Sequence, residues 1–323
     1  MVGGNVPDFR VLVQQENYWR RLRPQHKLLG SECRGSEQMR ELATGYGLVE
    51  GPVWHDELGL LYSDVLNGGV FRAAKDGTIS QQVPKRRGIG GMALHADGGL
   101  IMGGRDIVAS DINGADMGVL LAGADTKAGV GFNDLTTDSA GRIYVGDLGF
   151  SVFGGGEPKP GFLHVIDLDG TDRVISDGIM LTNGMGFSPD GKSLYHSDAR
   201  ADVVRVYDVL PDGSVSGWRP FAEIAKGETP DGLAVAADGS VWVALAHGGA
   251  VAVYEPDGRL RERMPVPLPM VTSVCFGGDD LQDLYVVTGS RGGPRENCGS
   301  VFVTRAPIAG LPLAPAKVRR PAA

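Results

Sequence analysis

The chain has 323 residues, a formal net charge of -8 and 42% apolar residues, which leaves ample length for a large core. The acidic balance, without any basic stripe, excludes nucleic acid as an expected partner. The sequence holds no run of about 18 apolar residues, so no membrane partner is expected. Three cysteines without metal-ligand spacing favour reduced thiols and a cytoplasmic location.

Residues 1–45 differ from the rest of the chain, because glycine is sparse there and apolar side chains recur at helical intervals. Phe9, Tyr18, Trp19 and Leu22 carry this pattern, which predicts one or two short helices and an extended lead-in. The pattern favours a segment packed on the outside of the main domain. A lid or a dimer contact is the alternative, and the oligomeric state is left open.

From about residue 46 a repeat begins, in which short apolar strands alternate with Asp-Gly, Asn-Gly and Gly-Gly turns. Its copies begin near residues 50, 90, 133, 183, 231 and 273. A period of about 40–50 residues with several strands per copy predicts an all-β fold, a six-bladed β-propeller over residues 46–310. A short, partly helical N-terminal extension (1–45) precedes it, and a C-terminal tail (311–323) follows. The lead-in near residues 40–49 or the segment near 300–305 is expected to close the ring.

Four oxygen-bearing side chains stand at the start of the innermost strand in blades one, three, four and five. They are Glu50, Asn133, Asn183 and Asp231. Because inner strands line the channel of a propeller, their starts are expected to cluster at one end of it. Carboxylate and amide oxygens suit Ca²⁺, Mg²⁺ or Mn²⁺ and do not exclude Zn²⁺. The sequence therefore predicts one divalent cation, with Ca²⁺ favoured. A single Asn-Gly or Asp-Gly is usually a turn, but these residues precede the inner strand instead of following it.

The motifs around these residues resemble the family of senescence marker protein, gluconolactonase and luciferin-regenerating enzyme. The matching motifs are Glu50-Gly-Pro-Val-Trp54, Phe132-Asn-Asp134 with Asp138-Ser-Ala-Gly-Arg142, Asn183-Gly184 with Ser188-Pro-Asp-Gly191, and Pro230-Asp-Gly232. The resemblance implies a single catalytic divalent ion held by the four residues above, with Asp231 also acting as general base. It implies hydrolysis of a lactone, so a small-molecule lactone or ester is the expected partner.

The chain departs from this resemblance at Gly131, where similar sugar-lactone members often carry an arginine. Apolar side chains and one histidine are expected near the channel mouth instead, and they make up the predicted substrate-binding set: Met92, Phe132, Phe150, Met185 and His247. This set favours a less polar lactone or ester over gluconolactone. Packing in the core is the alternative for the apolar members, and an ordinary loop position is the alternative for the histidine.

Other candidates are weaker. Asp134 and Asp138 would hold a second ion or simply form a turn, and Arg105 and Arg291 would bind a substrate carboxylate or lie on the surface. No Gly-x-Ser-x-Gly elbow occurs in the sequence, so a serine esterase mechanism lacks its nucleophile. The alternatives that stay open are a different ester hydrolase or carbon–carbon bond former on the same scaffold, and a non-catalytic calcium- or ligand-binding propeller.

Overall fold

The structure, a computed structural model, describes residues 39–154 and 157–321. The predicted helices of the N-terminal extension fall on residues 1–38, outside the described residues, so they stay a prediction. The described residues form 24 strands and one 3-10 helix, Gly123–Asp125. No helix among them is long and apolar enough to span a membrane.

The strands form six four-stranded antiparallel sheets, so the predicted six-bladed propeller is confirmed. The first strand, β1 (Arg40–Tyr46), belongs to the sixth blade. Blade one contains β2 (Val49–His55), β3 (Gly59–Asp64), β4 (Val70–Ala73) and β5 (Ile79–Val83). Blade two contains β6 (Met92–Leu94), β7 (Leu100–Met102), β8 (Asp106–Ser110) and β9 (Asp116–Ala122). Blade three contains β10 (Phe132–Thr137), β11 (Ile143–Asp147), β12 (Gly161–Ile166) and β13 (Asp172–Ile179).

The second half of the ring repeats the same meander. Blade four contains β14 (Thr182–Phe187), β15 (Ser193–Asp198), β16 (Val203–Asp208) and β17 (Arg219–Glu223). Blade five contains β18 (Pro230–Val235), β19 (Val241–Leu245), β20 (Ala250–Tyr254) and β21 (Leu260–Pro265). Blade six contains β22 (Met270–Gly277), β23 (Asp283–Gly289) and β24 (Gly299–Arg305). The inner strands of neighbouring blades contact one another around the ring.

Both segments that were expected to close the ring take part in closure. β24 is the third strand of blade six, and β1 pairs with it antiparallel as the outermost strand. Blade six is therefore built from the two ends of the propeller sequence, which ties the ring shut by backbone hydrogen bonds.

The core lies between the blades, because each sheet is covered on both faces by its neighbours. The sequence Val-Trp-Val-Ala-Leu of β19 is buried at every position, as expected for a strand that has no solvent-facing side. Trp242 of this strand packs edge-on against Phe276 of blade six at 5.3 Å between ring centroids. Stacking of Trp54 on Tyr285 at 5.6 Å joins blade one to blade six in the same way.

Residues 306–320, called the strap below, cross the end of the propeller where the inner strands finish. Ala316 and Val318 of the strap are fully buried, and His95 Nε2 lies 3.0 Å from the carbonyl oxygen of Val318. Backbone hydrogen bonds join the strap to blades six, five, two and three in turn, at Leu281, Val235, Leu94, Gly141 and Leu168. We call this end the far end and the opposite end, where the inner strands begin, the site end.

Candidate functional site

The predicted ligand positions share one backbone irregularity. In β2, Glu50 pairs with Ser63 but Val53 pairs with Leu61, so an advance of three residues along β2 is matched by only two residues along β3. The inner strands of blades three, four and five carry the same β-bulge at their starts. A bulge bends a strand and redirects its side chains, and here it lies at each of the four predicted ligands.

Three carboxyl groups lie near one another at the site end. Glu50, Asp134 and Asp231 are all buried. Burial first, and then the charges of Asp231 and Asp134, raise the pKa of Glu50 well above its usual range. Burial and the charge of Asp134 do the same to the pKa of Asp231, and burial raises the pKa of Asp134 to about 7. Like charges in a desolvated site disfavour ionisation, so this cluster is costly unless a cation or protons balance it.

The two predicted amide ligands are hydrogen-bonded to each other. Asn133 Nδ2 donates to Asn183 Oδ1 at 2.6 Å and to the carbonyl oxygen of Thr182 at 2.8 Å. An amide oxygen has two lone pairs, so Asn183 Oδ1 keeps one, and Asn133 Oδ1 accepts no hydrogen bond from the described residues. The structure thus brings all four predicted ligands to one end of the channel.

A divalent cation fits these residues. Asp231 Oδ1 is buried and has no hydrogen-bond partner among the described residues, an arrangement that is rare unless an ion or water occupies the space. Across the described parts of the chain, no three side chains of His, Cys, Asp and Glu stand close enough to hold a metal by themselves. A cation here would therefore need the amide oxygens as well as the carboxylates, and an all-oxygen set is what Ca²⁺ prefers.

Asp134 is the site residue whose position the sequence reasoning missed. Glycine follows the ligand directly in blades one, four and five, as Gly51, Gly184 and Gly232, whereas Asp134 follows it in blade three. Strict alternation would turn Asn133 and Asp134 to opposite faces, but the bulge at the start of β10 brings both to the channel. The exception to the glycine pattern is the signal that would have found it.

Asp138 lies beyond the other end of β10. Its carboxylate accepts hydrogen bonds from the backbone nitrogens of Gly141 and Arg142 and forms an ion pair with the Arg142 side chain at 3.0 Å. Asp134 and Asp138 therefore do not share a site.

Blade two has glycine instead of an oxygen-bearing side chain just before its inner strand. A side chain at Gly91 would run into blade three, since a Cβ there would stand 2.8 Å from Asp134 Oδ1. Gly131, where similar chains often have arginine, is equally confined. Its φ is +146°, and a Cβ would lie 2.9 Å from the carbonyl oxygen of Gly104. The departure at this position therefore has a local cause, because the turn between β7 and β8 occupies the room.

The predicted substrate-binding residues fall into two groups. Met92, Phe132 and Met185 are buried in three hydrophobic clusters that lie between neighbouring blades. Phe150 is half-buried in the loop after β11, and the guanidinium carbon of Arg200 lies 5.6 Å from its ring centroid. The first group matches the packing alternative, and a direct role for these residues in substrate binding stays a prediction.

The remaining candidates lie on site-end loops. His247 is exposed in the turn after β19, and desolvation together with the charge of Arg291 lowers its pKa. Arg105 and Arg291 are exposed in the turns after β7 and β23. These positions are compatible with contact to a ligand at the channel mouth, which stays a prediction for all three.

The fold and these side chains define a class of protein: a six-bladed propeller with buried carboxyl groups and two hydrogen-bonded amides at one end of its channel. The chain belongs to the family described as SMP-30/Gluconolactonase/LRE-like region, which matches residues 48–290. The family resemblance expected from the motifs is therefore confirmed.

Individual relatives match most of their own length. The chain is 33% identical to a pentonolactonase of Haloferax volcanii, covering 79% of this chain and 86% of the relative. It is also 33% identical to a 6-deoxy-6-sulfogluconolactonase of Pseudomonas putida, covering 81% and 92%. Among solved structures, a luciferin-regenerating enzyme superposes with a TM-score of 0.77 at 22% identity, covering 87% of this chain and 99% of that one. This last similarity supports the fold.

Proposed function

We propose that this protein is a lactonase, a hydrolase of cyclic carboxylic esters, that uses one divalent cation held by Glu50, Asn133, Asn183 and Asp231. The observation that carries the proposal is the buried Asp231, whose Oδ1 has no partner among the described residues and which faces two further acids. The relatives named lactonases at 33% identity support the reaction class. Calcium is the ion we favour, because the ligands are all oxygen and a structural neighbour is called a calcium-binding regucalcin.

A bound divalent cation would supply Lewis acidity toward the carbonyl group of the lactone. Glu50 and Asp231 would balance its charge, and the hydrogen bond between Asn133 and Asn183 would hold their amide oxygens in place. Asp134 adds a third negative charge to the same space, which strengthens the attraction for a cation. With three acids and one divalent ion the centre would keep a net charge of about -1.

Asp231 is the proposed general base. Its carboxylate takes a proton from the attacking water, the water oxygen bonds to the carbonyl carbon, and the bond from that carbon to the ring oxygen breaks. The ring oxygen then receives the proton from Asp231, so one water is consumed and one hydroxy acid is formed. Burial raises the pKa of Asp231 in the cation-free protein, and a bound cation would keep its carboxylate ionised, which is the form that accepts a proton.

We propose a lactone of a sugar acid as the substrate class. The names of the two lactonase relatives support this choice. Moreover, the side chains expected to give an apolar mouth, Met92, Phe132 and Met185, lie in interblade clusters. A cytoplasmic location remains our expectation, and it agrees with Cys275 and Cys298, which are buried and free.

The test combines metal analysis of the purified protein with a pH-drop assay on a lactone panel, with and without chelator. We expect chelator-sensitive acid release. Asp231→Asn should lower the rate by at least about 100-fold, and Glu50→Gln should lose the metal. Asp257→Asn is the matched control, because Asp257-Gly258 is the same dipeptide placed in a far-end turn.

Each of the other experimental outcomes would indicate a different function for this protein. Tight metal binding without turnover of any lactone or ester would indicate a binding propeller. Turnover that survives the chelator would indicate another ester hydrolase. Full activity in Asp231→Asn, with metal still bound, would exclude the assigned base.

A further inference from the structure

We propose that Arg200, held against Phe150 at the channel mouth, binds an anionic group on the substrate, so that the natural lactone carries a carboxylate, phosphate or sulfonate outside its ring. This inference rests on the proposed lactonase function and specifies the substrate of the same site.

Arg200 lies in a turn that is hydrogen-bonded to the segment before a predicted ligand. It lies in the turn between β15 and β16, which is fastened to the segment that leads into Asn183. Ala199 N donates to the carbonyl oxygen of Leu181 at 2.9 Å, and Asp198 accepts from the backbone nitrogens of Met180 and Leu181 at 3.0 Å each. These bonds place Arg200 at the rim of the channel next to blade four's amide ligand.

Phe150 reaches the same place from blade three. Its loop starts at Leu148, whose backbone nitrogen donates to the carbonyl oxygen of Gly131 at 2.8 Å, two residues before Asn133. The contact between Arg200 and Phe150 at 5.6 Å therefore joins loops of blades three and four. The inner strands of these blades carry the hydrogen-bonded amides of Asn133 and Asn183. Contact with an aromatic ring restricts the motion of a long cationic side chain. Less conformational entropy is therefore lost when that side chain binds a ligand.

Arg200 contacts an aromatic ring but no acidic side chain among the described residues. Its side chain is exposed and forms no ion pair with any carboxylate that the structure describes. Of the two acids nearest to it in sequence, Asp198 pairs with Arg205 at 2.6 Å. The pKa of the other, Asp202, is raised by burial and lowered by the charge of Lys226. A second cation is arranged alike, since Lys127, in the segment that leads into blade three, lies 5.4 Å from the ring centroid of Phe162. Two site-end cations thus rest on aromatic rings without an acidic partner among the described residues.

An anionic substituent explains this arrangement better than a neutral one. A guanidinium group binds carboxylate, phosphate and sulfonate oxygens in bidentate geometry. The three buried acids at the centre would repel the same substituent. The substrate would therefore be oriented with its ring toward Asp231 and its charged group toward Arg200, which fixes which end of the molecule reacts.

The experiment compares one lactone ring with and without the charge. Initial rates are measured for glucono-1,5-lactone and for the same lactone bearing a phosphate or a sulfonate on its exocyclic carbon, using the metal-loaded protein. We expect Arg200→Gln to lower kcat/KM for the charged lactones by about 10–100-fold, mainly through KM. The neutral lactone should stay within about twofold. Arg200→Lys should keep part of the preference, because it keeps the charge.

Arg259→Gln is the control for loss of one positive charge, since Arg259 is exposed in a far-end turn beside Glu255; it should change neither rate. Equal losses on charged and neutral lactones in Arg200→Gln, or no preference in the wild-type protein, would overturn this inference while leaving the lactonase function intact. Loss on the phosphate alone or the sulfonate alone identifies which group is recognised. If the wild-type protein turns over none of these lactones, the proposed function fails, and this inference fails with it.

Discussion

The two ends of the propeller treat charge in opposite ways. At the far end, arginines sit between pairs of carboxylates. Arg261 contacts Asp238 and Glu255 at 2.8 and 2.7 Å, and Arg305 contacts Asp280 and Asp283 at 2.6 and 2.7 Å. At the site end, Glu50, Asp134 and Asp231 are buried near one another without an arginine or lysine partner among the described residues, while Arg200 and Lys127 rest on aromatic rings. Asp198 and Arg205, 2.6 Å apart, form a paired exception at this end.

This difference separates the structural end from the end available to ligands. Charges that are already paired contribute to stability but have little left to offer a ligand, whereas unpaired charges are costly until one binds. The site end holds both signs in separate places, acids at the centre and cations at the rim. Such a surface suits a cation together with an anionic molecule, in agreement with the function proposed above.

The largest expected effect is a pH response of opposite sign at the two ends. In the cation-free protein, burial raises the pKa of Asp134 to about 7, and burial together with neighbouring acids raises the pKa values of Glu50 and Asp231. Their contribution to stability is full below about pH 4 and is lost as the pH rises, through about 7 for Asp134. At the far end Arg305 lowers the pKa of Asp280 to about 2, so that contribution is lost only as the pH falls from about 4 toward 2.

Unfolding by denaturant at pH 5, 6.5 and 8, with chelator or with Ca²⁺, would measure this response. We expect the free energy of unfolding with chelator to fall from pH 5 to pH 8, by about 1.4 kcal/mol for each unit of raised pKa. Added Ca²⁺ should stabilise the protein most at pH 8. Asp134→Asn should flatten the response in chelator and weaken Ca²⁺ binding. A cation-free protein that is equally stable at pH 5 and pH 8 would contradict the charge assignment.

A smaller effect is expected from shortening the strap. Deleting residues 311–323 removes the buried Ala316 and Val318 and the backbone bonds to blades two, three and five. We expect a loss of about 3 kcal/mol in the free energy of unfolding, with lactone hydrolysis by the folded protein retained. Deletion of residues 321–323 alone is the control and should change little. If the longer deletion leaves stability unaltered, the strap does not hold the blades together.

The smallest expected effect comes from breaking one far-end ion pair network. Arg261→Gln should cost about 1 kcal/mol in the free energy of unfolding, because partly exposed pairs are weakened by solvent, and should leave activity unchanged. Arg200→Gln, which removes an arginine without a carboxylate partner among the described residues, should alter stability by less than about 0.5 kcal/mol. Thermal unfolding of both variants would measure how much stability each loses. Equal losses would contradict the difference between the paired far-end arginine and Arg200.

Much of this architecture could be predicted from the sequence. The turn chemistry and the period gave six blades, and the phase of Glu50, Asn133, Asn183 and Asp231 relative to their strands placed them at one end. Both candidate closing segments proved to be strands of blade six. These features are repeated along the chain, so each copy reinforces the others.

Features that occur once were harder to predict. The bulge that brings Asp134 beside Asn133 depends on the neighbouring strand, and alternation alone points the wrong way. The strap lies beyond the repeat and has no periodicity of its own. The contact of Phe150 with Arg200 joins residues 50 positions apart, and no local pattern encodes it. Hydrophobicity likewise does not distinguish a channel wall from an interblade cluster, which is why Met92 and Met185 were open to both interpretations.

The course of the strap bears on how the protein can be tethered. Its last hydrogen bond between backbone groups, from Arg319 N to the carbonyl oxygen of Leu168 at 2.8 Å, lies at the far end. A linker, tag or fusion partner joined at this terminus would therefore leave the molecule on the side away from the channel mouth. Molecules coupled to a sensor surface or resin through it would share one orientation, with the site end turned toward the solution and open to small ligands.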